Sequence, residues 1–150
     1  MSKVAVIYWS GTGNTQAMAE AVAKGAKEKG SDVSIYSVGE FHSESAAEYD
    51  AIAFGCPAMG AEELEDSEFE PAFSACDIRG KKIALFGSYG WGDGEWMRNW
   101  EGICKEAGAN LVCESVICND APDDDAIENC RKLGEAISVS YTHLTLPTIA

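Results

Sequence analysis

Trp9-Ser10-Gly11-Thr12-Gly13-Asn14-Thr15 joins the apolar run Val4-Ala5-Val6-Ile7-Tyr8 to a long stretch with helical spacing, and its reading decides the fold. A strand that ends in glycines and hydroxyls and restarts as a helix is built to hold an anion. The first N–H groups of a helix lack intrahelical acceptors, and glycine lets the chain curl until several N–H vectors converge. Ser10, Thr12 and Thr15 bring hydroxyl donors to the same place. The loop has no Walker-type lysine for a β/γ-phosphate and no G-x-G-x-x-G for a pyrophosphate, so a lone monophosphate fits best. The same residues also suit a plain strand–helix turn with Asn14 or Thr15 as its cap.

Outward from this loop the chain alternates short apolar runs with helical patterns. Thr15 to Lys29 predicts a helix with Met18, Ala19, Val22, Ala23 and Ala26 on one face and Gly30 as its stop. Val33–Ser37 reads as a second strand, His42–Tyr49 as a short helix and Asp50–Gly55 as a third strand. Leu64–Ala75 carries Phe69 and Phe73 at an i, i+4 spacing, with Pro71 setting a start or a kink. Lys82–Gly87 is the fourth strand. Glu95–Ala107 predicts a helix with Trp96, Trp100, Ile103 and Cys104 on its stripe, Asn110–Cys118 a fifth strand, and Asp123–Ile137 a last helix whose early aspartates suit the macrodipole.

Strands and helices at this rhythm predict an α/β fold, a doubly wound parallel sheet covered on both faces. Ligands of such sheets sit beyond the carboxyl ends of the strands, where strand order reverses. Three unusual loops follow strand ends, at residues 9–15, 56–63 and 88–94, and are expected to converge on one edge. The second brings Met59 beside Gly60, then Glu62 and Glu63, and the third brings Tyr89 and Trp91 among glycines. Glycines around an aromatic let backbone approach a flat ligand while the ring stacks on it, so a planar heterocycle bearing one phosphate is implied. Trp91 taken alone also suits a surface aromatic folded onto its own loop.

At 150 residues, 46% apolar and 24% charged, the chain is expected to be one domain with its own core. No stretch approaches the roughly 20 apolar residues of a membrane span, and no basic-then-apolar segment precedes Val4, so a cytoplasmic location is expected. The six cysteines, Cys56, Cys76, Cys104, Cys113, Cys118 and Cys130, form no C-x-x-C pair, and Cys56 and Cys113 fall inside strand patterns. They read as buried thiols rather than disulfides or metal ligands. A net charge of −14 argues against nucleic acid and anionic lipid and for basic protein surfaces as partners, although a merely soluble surface is also acidic.

Trp9 to Thr15, Gly55-Cys56-Pro57-Ala58-Met59-Gly60 and Gly87-Ser88-Tyr89-Gly90-Trp91-Gly92 together resemble the short-chain flavodoxins of anaerobic bacteria, of the clostridial type. The likeness runs to about Ile137 in three collinear motifs, and the fifth strand passes into the last helix without the insertion of the long-chain group. The resemblance implies a five-stranded sheet of order 2-1-3-4-5 and FMN as cofactor. It implies that Ser10, Gly11, Thr12, Gly13, Asn14 and Thr15 hold the phosphate, with Ser88 as an extra hydroxyl. Met59 and Trp91 would cover opposite faces of the ring, within loops that also contain Pro57, Ala58, Tyr89, Gly90 and Gly92. Glu62, or Glu63 if the loop shifts by one, would accept the flavin N3–H. The peptide between Gly60 and Ala61 would turn its carbonyl toward N5–H on reduction, Ala61 being a departure where relatives have a polar residue. The function so implied is a low-potential one-electron carrier shuttling between semiquinone and hydroquinone, a monomer and not an enzyme, donating to redox enzymes through their basic patches.

Two other readings weigh less. An FMN-dependent NAD(P)H:quinone reductase of this fold usually adds loops for a nicotinamide pocket, and no such insertion is present. A phospho-acceptor receiver domain needs acidic residues where Tyr8-Trp9 and Gly55-Cys56 stand. The end of the chain, Val139 to Thr148, has no helical stripe, contains Pro147 and resembles one reading frame of a transposase-type sequencing adapter. Residues 1–138 are therefore expected to form the FMN-binding domain and 139–150 a non-native tail, the competing view being an extra strand rich in Thr, Leu and Tyr.

Overall fold

The computed structural model describes residues 3–9, 13–58, 69–90, 94–119 and 121–145, with side chains through Ser138. Strand β1 (Lys3–Tyr8) leads to helix α1 (Asn14–Glu28), then β2 (Asp32–Ser37), two 3₁₀ turns (Val38–Glu40 and Ser43–Glu48) and β3 (Ala51–Gly55). After α2 (Phe69–Ala75) come β4 (Lys82–Tyr89), α3 (Glu95–Glu106), two short strands β5 (Asn110–Leu111) and β6 (Val116–Asn119), and α4 (Asp124–Thr145). All pairings are parallel, in the order β2-β1-β3-β4-β5, with β6 also paired to β4.

Every central strand is apolar on both faces, which is what a sheet buried between two helical layers requires. Val4 and Val6 of β1, Ala51 and Ala53 of β3, and Ala84 and Phe86 of β4 face Met18, Val22 and Ala26 of α1 and Leu133 and Ile137 of α4. The alternate residues Ala5, Ile7, Ile52, Phe54, Ile83 and Leu85 face Phe69, Phe73, Trp96 and Trp100. On the first face the two helices cross closely, because a Cβ at Gly134 would lie 2.0 Å from the Val22 carbonyl oxygen. The contact holds α1 against α4.

Four sequence expectations are corrected. The fifth strand is two strands: β4 advances three residues from Ile83 to Phe86 while its neighbour advances five from Leu111 to Val116. The two extra residues make a bulge, so Cys113 lies in the break rather than in a strand. Ile103 is 50% exposed and Met97 is buried in its stead, because burial on α3 is centred between Trp96 and Met97 and leaves Ile103 at the margin of the stripe. The short helix expected over 42–49 is narrower and of the 3₁₀ type, Ser43–Glu48. Finally, α4 runs past Ile137 to Thr145, since a helix once nucleated propagates through residues that include no Pro or Gly. Pro71 sits in the first turn of α2, where its missing N–H costs no helical bond.

Candidate functional site

The C-terminal ends of β1, β3 and β4 lie side by side, and hydrogen bonds carry the ladder past them. Trp9 N–H donates to the Gly55 carbonyl at 3.0 Å, Cys56 N–H to Phe86 at 3.2 Å and Ala58 N–H to Ser88 at 3.0 Å. The three loops singled out in the sequence therefore start together on one edge. Trp9, Ala58 and Tyr89, all partly buried, pack against the same apolar cluster.

At the start of α1 the cap is Gly13, with φ +95° and ψ −11°, and no side chain caps the helix. The expectation of Asn14 or Thr15 as an ordinary cap is thus corrected: both lie within the helix. Gly13 takes the position because a left-handed residue with a Cβ is strained there. Thr15 is 1% exposed, and its hydroxyl oxygen has no hydrogen-bond partner among the described residues. A buried hydroxyl left unpaired costs about 1–3 kcal/mol, so such a group points to an acceptor that the described residues do not supply. The first turn holds no acidic residue, and its dipole and N–H groups favour an anion. A phosphate oxygen satisfies both requirements, so the donor set fits a phosphate monoester.

On the neighbouring loops Pro57, Ala58 and Tyr89 are half-buried, Ser88 is buried and Gly90 is exposed. Ser10, Gly11, Thr12, Met59, Gly60, Ala61, Glu62, Glu63, Trp91 and Gly92 lie outside the described residues. One participant escaped sequence reasoning. Trp96, read as a core residue on its helix, also donates its indole N–H to the Cys56 carbonyl at 3.3 Å, at the root of the second loop. No spacing rule signals that bond, because its partners are 40 residues apart.

No group of three or more His, Cys, Asp or Glu gathers among the described residues. None of the six cysteines is in a disulfide; Cys56, Cys76, Cys104 and Cys130 are buried, whereas Cys113 and Cys118, expected to be buried, are only partly so. Burial pushes Cys76 up to about 11 and Cys104 and Cys130 up to about 12, which leaves them inert as nucleophiles. No helix among the described residues is long and apolar enough to cross a membrane.

Known proteins agree with this geometry. A family model described as Flavodoxin matches residues 6–134. The chain is 45% identical over 135 residues to the flavodoxin of Megasphaera elsdenii, covering 89% of this chain and 96% of that one. It is likewise 45% identical to the flavodoxin of Clostridium beijerinckii, with 89% and 97% covered. The solution structure of two-electron reduced Megasphaera elsdenii flavodoxin superposes with a TM-score of 0.83 at 46% identity, over 90% of this chain and 98% of that one. A doubly wound sheet of this order, a family model matched over residues 6–134 and relatives matched nearly end to end have one explanation: the chain belongs to the flavodoxin family.

Proposed function

We infer that this chain carries single electrons on bound FMN between redox proteins and turns over no substrate of its own. Family membership makes FMN the cofactor and electron transfer the task. The relatives are matched over 96% and 97% of their length, so the reading as a quinone reductase with added nicotinamide-binding loops has no support. FMN when bound supplies one-electron chemistry that no side chain here possesses.

The protein's part is to bind, orient and shield. The observation that carries the site is the buried, unpartnered Thr15 hydroxyl behind the left-handed Gly13. Thr15 and the first-turn N–H groups would hold the phosphate, with Ser10, Gly11, Thr12 and Asn14 completing the cradle and Ser88 within the neighbouring loop. Pro57 to Glu62 and Tyr89 to Gly92 would enclose the ring, Met59 and Trp91 covering its faces and Glu62 or Glu63 accepting N3–H. The peptide between Gly60 and Ala61 would turn to meet N5–H. Partners would present basic surfaces to a chain of charge −14, whose self-repulsion favours a monomer. Six cysteines outside disulfides suit the reducing cytoplasm. Residues 1–138 would suffice for all of this, with 139–150 outside the native domain.

The test is to titrate the apoprotein with FMN and with riboflavin. FMN is expected to bind with a shifted flavin spectrum and far more tightly than riboflavin, and the holoprotein is expected not to oxidise NAD(P)H in the steady state. An apoprotein that binds neither flavin, or a holoprotein that turns over NAD(P)H with a quinone, overturns the reading.

A further inference from the structure

Where the chain leaves β3, four hydrogen bonds among the described residues tie it to its neighbours. Gly55 carbonyl accepts from Trp9 N–H, Cys56 N–H donates to Phe86, Ala58 N–H donates to Ser88, and the Cys56 carbonyl accepts from the Trp96 indole. Three of these are backbone to backbone, and Trp96 supplies the fourth from a side chain. Its surroundings leave it little room to move. Trp96 is 1% exposed, and its ring centroid lies 5.5 Å from that of Tyr89 at an interplanar angle of 48°. A Cβ at Gly87 would stand 2.2 Å from the Cys56 carbonyl oxygen and 3.3 Å from the Trp96 ring, so glycine at that position is what lets strand, carbonyl and indole come together.

From this we propose that Trp96 is a positioning residue for the flavin: through its indole N–H it fixes the near end of the loop that begins at Cys56, and through its ring it ties that loop to Tyr89 at the head of the third loop. The proposal rests on the reading as an FMN carrier, in which Met59 to Glu62, just past this anchor, meet the ring. The redox-linked turn of the Gly60–Ala61 peptide, taken from the proposed function, starts from a root held at Cys56 and Ala58. Loss of the anchor spreads it into the root, so the arrangement demanded after reduction becomes harder to hold than the arrangement before it. Trp96 packs on the opposite face of the sheet from α1, whose first turn carries Thr15.

A matched control lies one turn further along α3. Trp100 is 0% exposed and contacts Phe69 and Phe73, but its indole N–H has no hydrogen-bond partner among the described residues. Trp96→Phe and Trp100→Phe therefore remove the same atoms from the same core, and the first alone also removes a bond to the loop. In the holoprotein, Trp96→Phe is expected to lower the affinity for reduced flavin relative to oxidised flavin by about two- to tenfold, the range of one lost hydrogen bond. A tenfold change reads as about 59 mV in a one-electron potential. Amide exchange at Ala58 should quicken, and the ratio of FMN to riboflavin affinity should stay as in the parent.

Trp100→Phe is expected to lower the melting temperature without moving the potential. Equal potential shifts in both variants, or none in Trp96→Phe, overturn the proposal, while a normal flavin spectrum in either leaves the carrier reading intact. If Trp96→Phe does not fold, exchange in the unmodified holoprotein decides instead. The Trp96 indole N–H should be as protected as the Ala58 amide, and an indole that exchanges orders of magnitude faster would overturn the anchor.

Discussion

Helices α1 and α3 begin on the same edge of the sheet, each after a loop from a central strand, and each is capped by a left-handed glycine with no side-chain cap. Gly13 has φ +95° and Gly94 φ +91°. Their surroundings differ. Among the described residues a Cβ at Gly13 would meet nothing within 4 Å, whereas at Gly94 it would lie 3.0 Å from Ile117 Cδ1. The first turn of α1 has no acidic residue and buries an unpartnered threonine hydroxyl, while the first turn of α3 carries Glu95. Both helices present a positive dipole end, but at α3 a carboxylate already stands beside it. A helix start alone does not make an anion site: among the described residues, an open front, no carboxylate in the first turn and a hydroxyl without a partner distinguish the one proposed to hold the phosphate.

The strongest way to break the comparison is to give α1 what α3 has. Thr15→Asp places a carboxylate beside the bound phosphate, and two charges about 4 Å apart repel by about 4 kcal/mol at an effective dielectric of about 20. FMN affinity should fall more than 100-fold while riboflavin affinity changes little, read by fluorescence titration of each flavin. Equal losses for both flavins would place Thr15 away from the phosphate.

Thr15→Val sharpens the point with effects of opposite sign. A hydrogen bond to a charged group contributes about 1.5–3 kcal/mol, so FMN should bind about 10- to 100-fold more weakly. The apoprotein should lose no stability in denaturant, because the substitution removes a buried polar atom that had no partner.

Next comes the pair Gly13→Ala and Gly94→Ala, each strained by about 1–2 kcal/mol at its left-handed φ. Both should unfold at lower denaturant. Only Gly13→Ala should also lower the FMN to riboflavin affinity ratio, and a drop in that ratio for Gly94→Ala would erase the distinction between the two helix starts. Glu95→Gln should cost α3 about 0.3–1 kcal/mol of dipole compensation and leave FMN affinity unchanged.

The smallest effect is expected from ending the chain at Ser138. That residue is buried and its hydroxyl pairs with Ser31, so the packed part of α4 is kept. FMN affinity should match that of the full chain, and failure of the shortened chain to fold would show that residues 139–150 belong to the domain.

Much of the fold was legible because a buried parallel sheet writes a coarse signal into the chain. Runs such as Val4–Tyr8, Ala51–Gly55 and Lys82–Gly87 are continuous and apolar, and Gly30 and Gly108 mark helix ends by their left-handed backbone. The break between Leu111 and Val116 left no such mark, since the register of an edge strand depends on its partner and not on its own spacing. Ile103 fitted the stripe by spacing, yet it stands half out of the core because only packing sets where a stripe is centred.

Sequence by itself determined the alternation of strands and helices, the loop of glycines and hydroxyls ahead of α1, and the family to which three collinear motifs belong. These are local patterns, and a strand, a helix start or a motif is specified within a few residues of chain. Tertiary structure alone decided that Gly13 rather than Asn14 or Thr15 caps α1, that the Thr15 hydroxyl is buried without a partner, and that the Trp96 indole reaches the Cys56 carbonyl. The reason is that burial and hydrogen-bond partnership are properties of neighbours brought together across the sheet, and nothing in the spacing of residues along one segment records what packs against it from another.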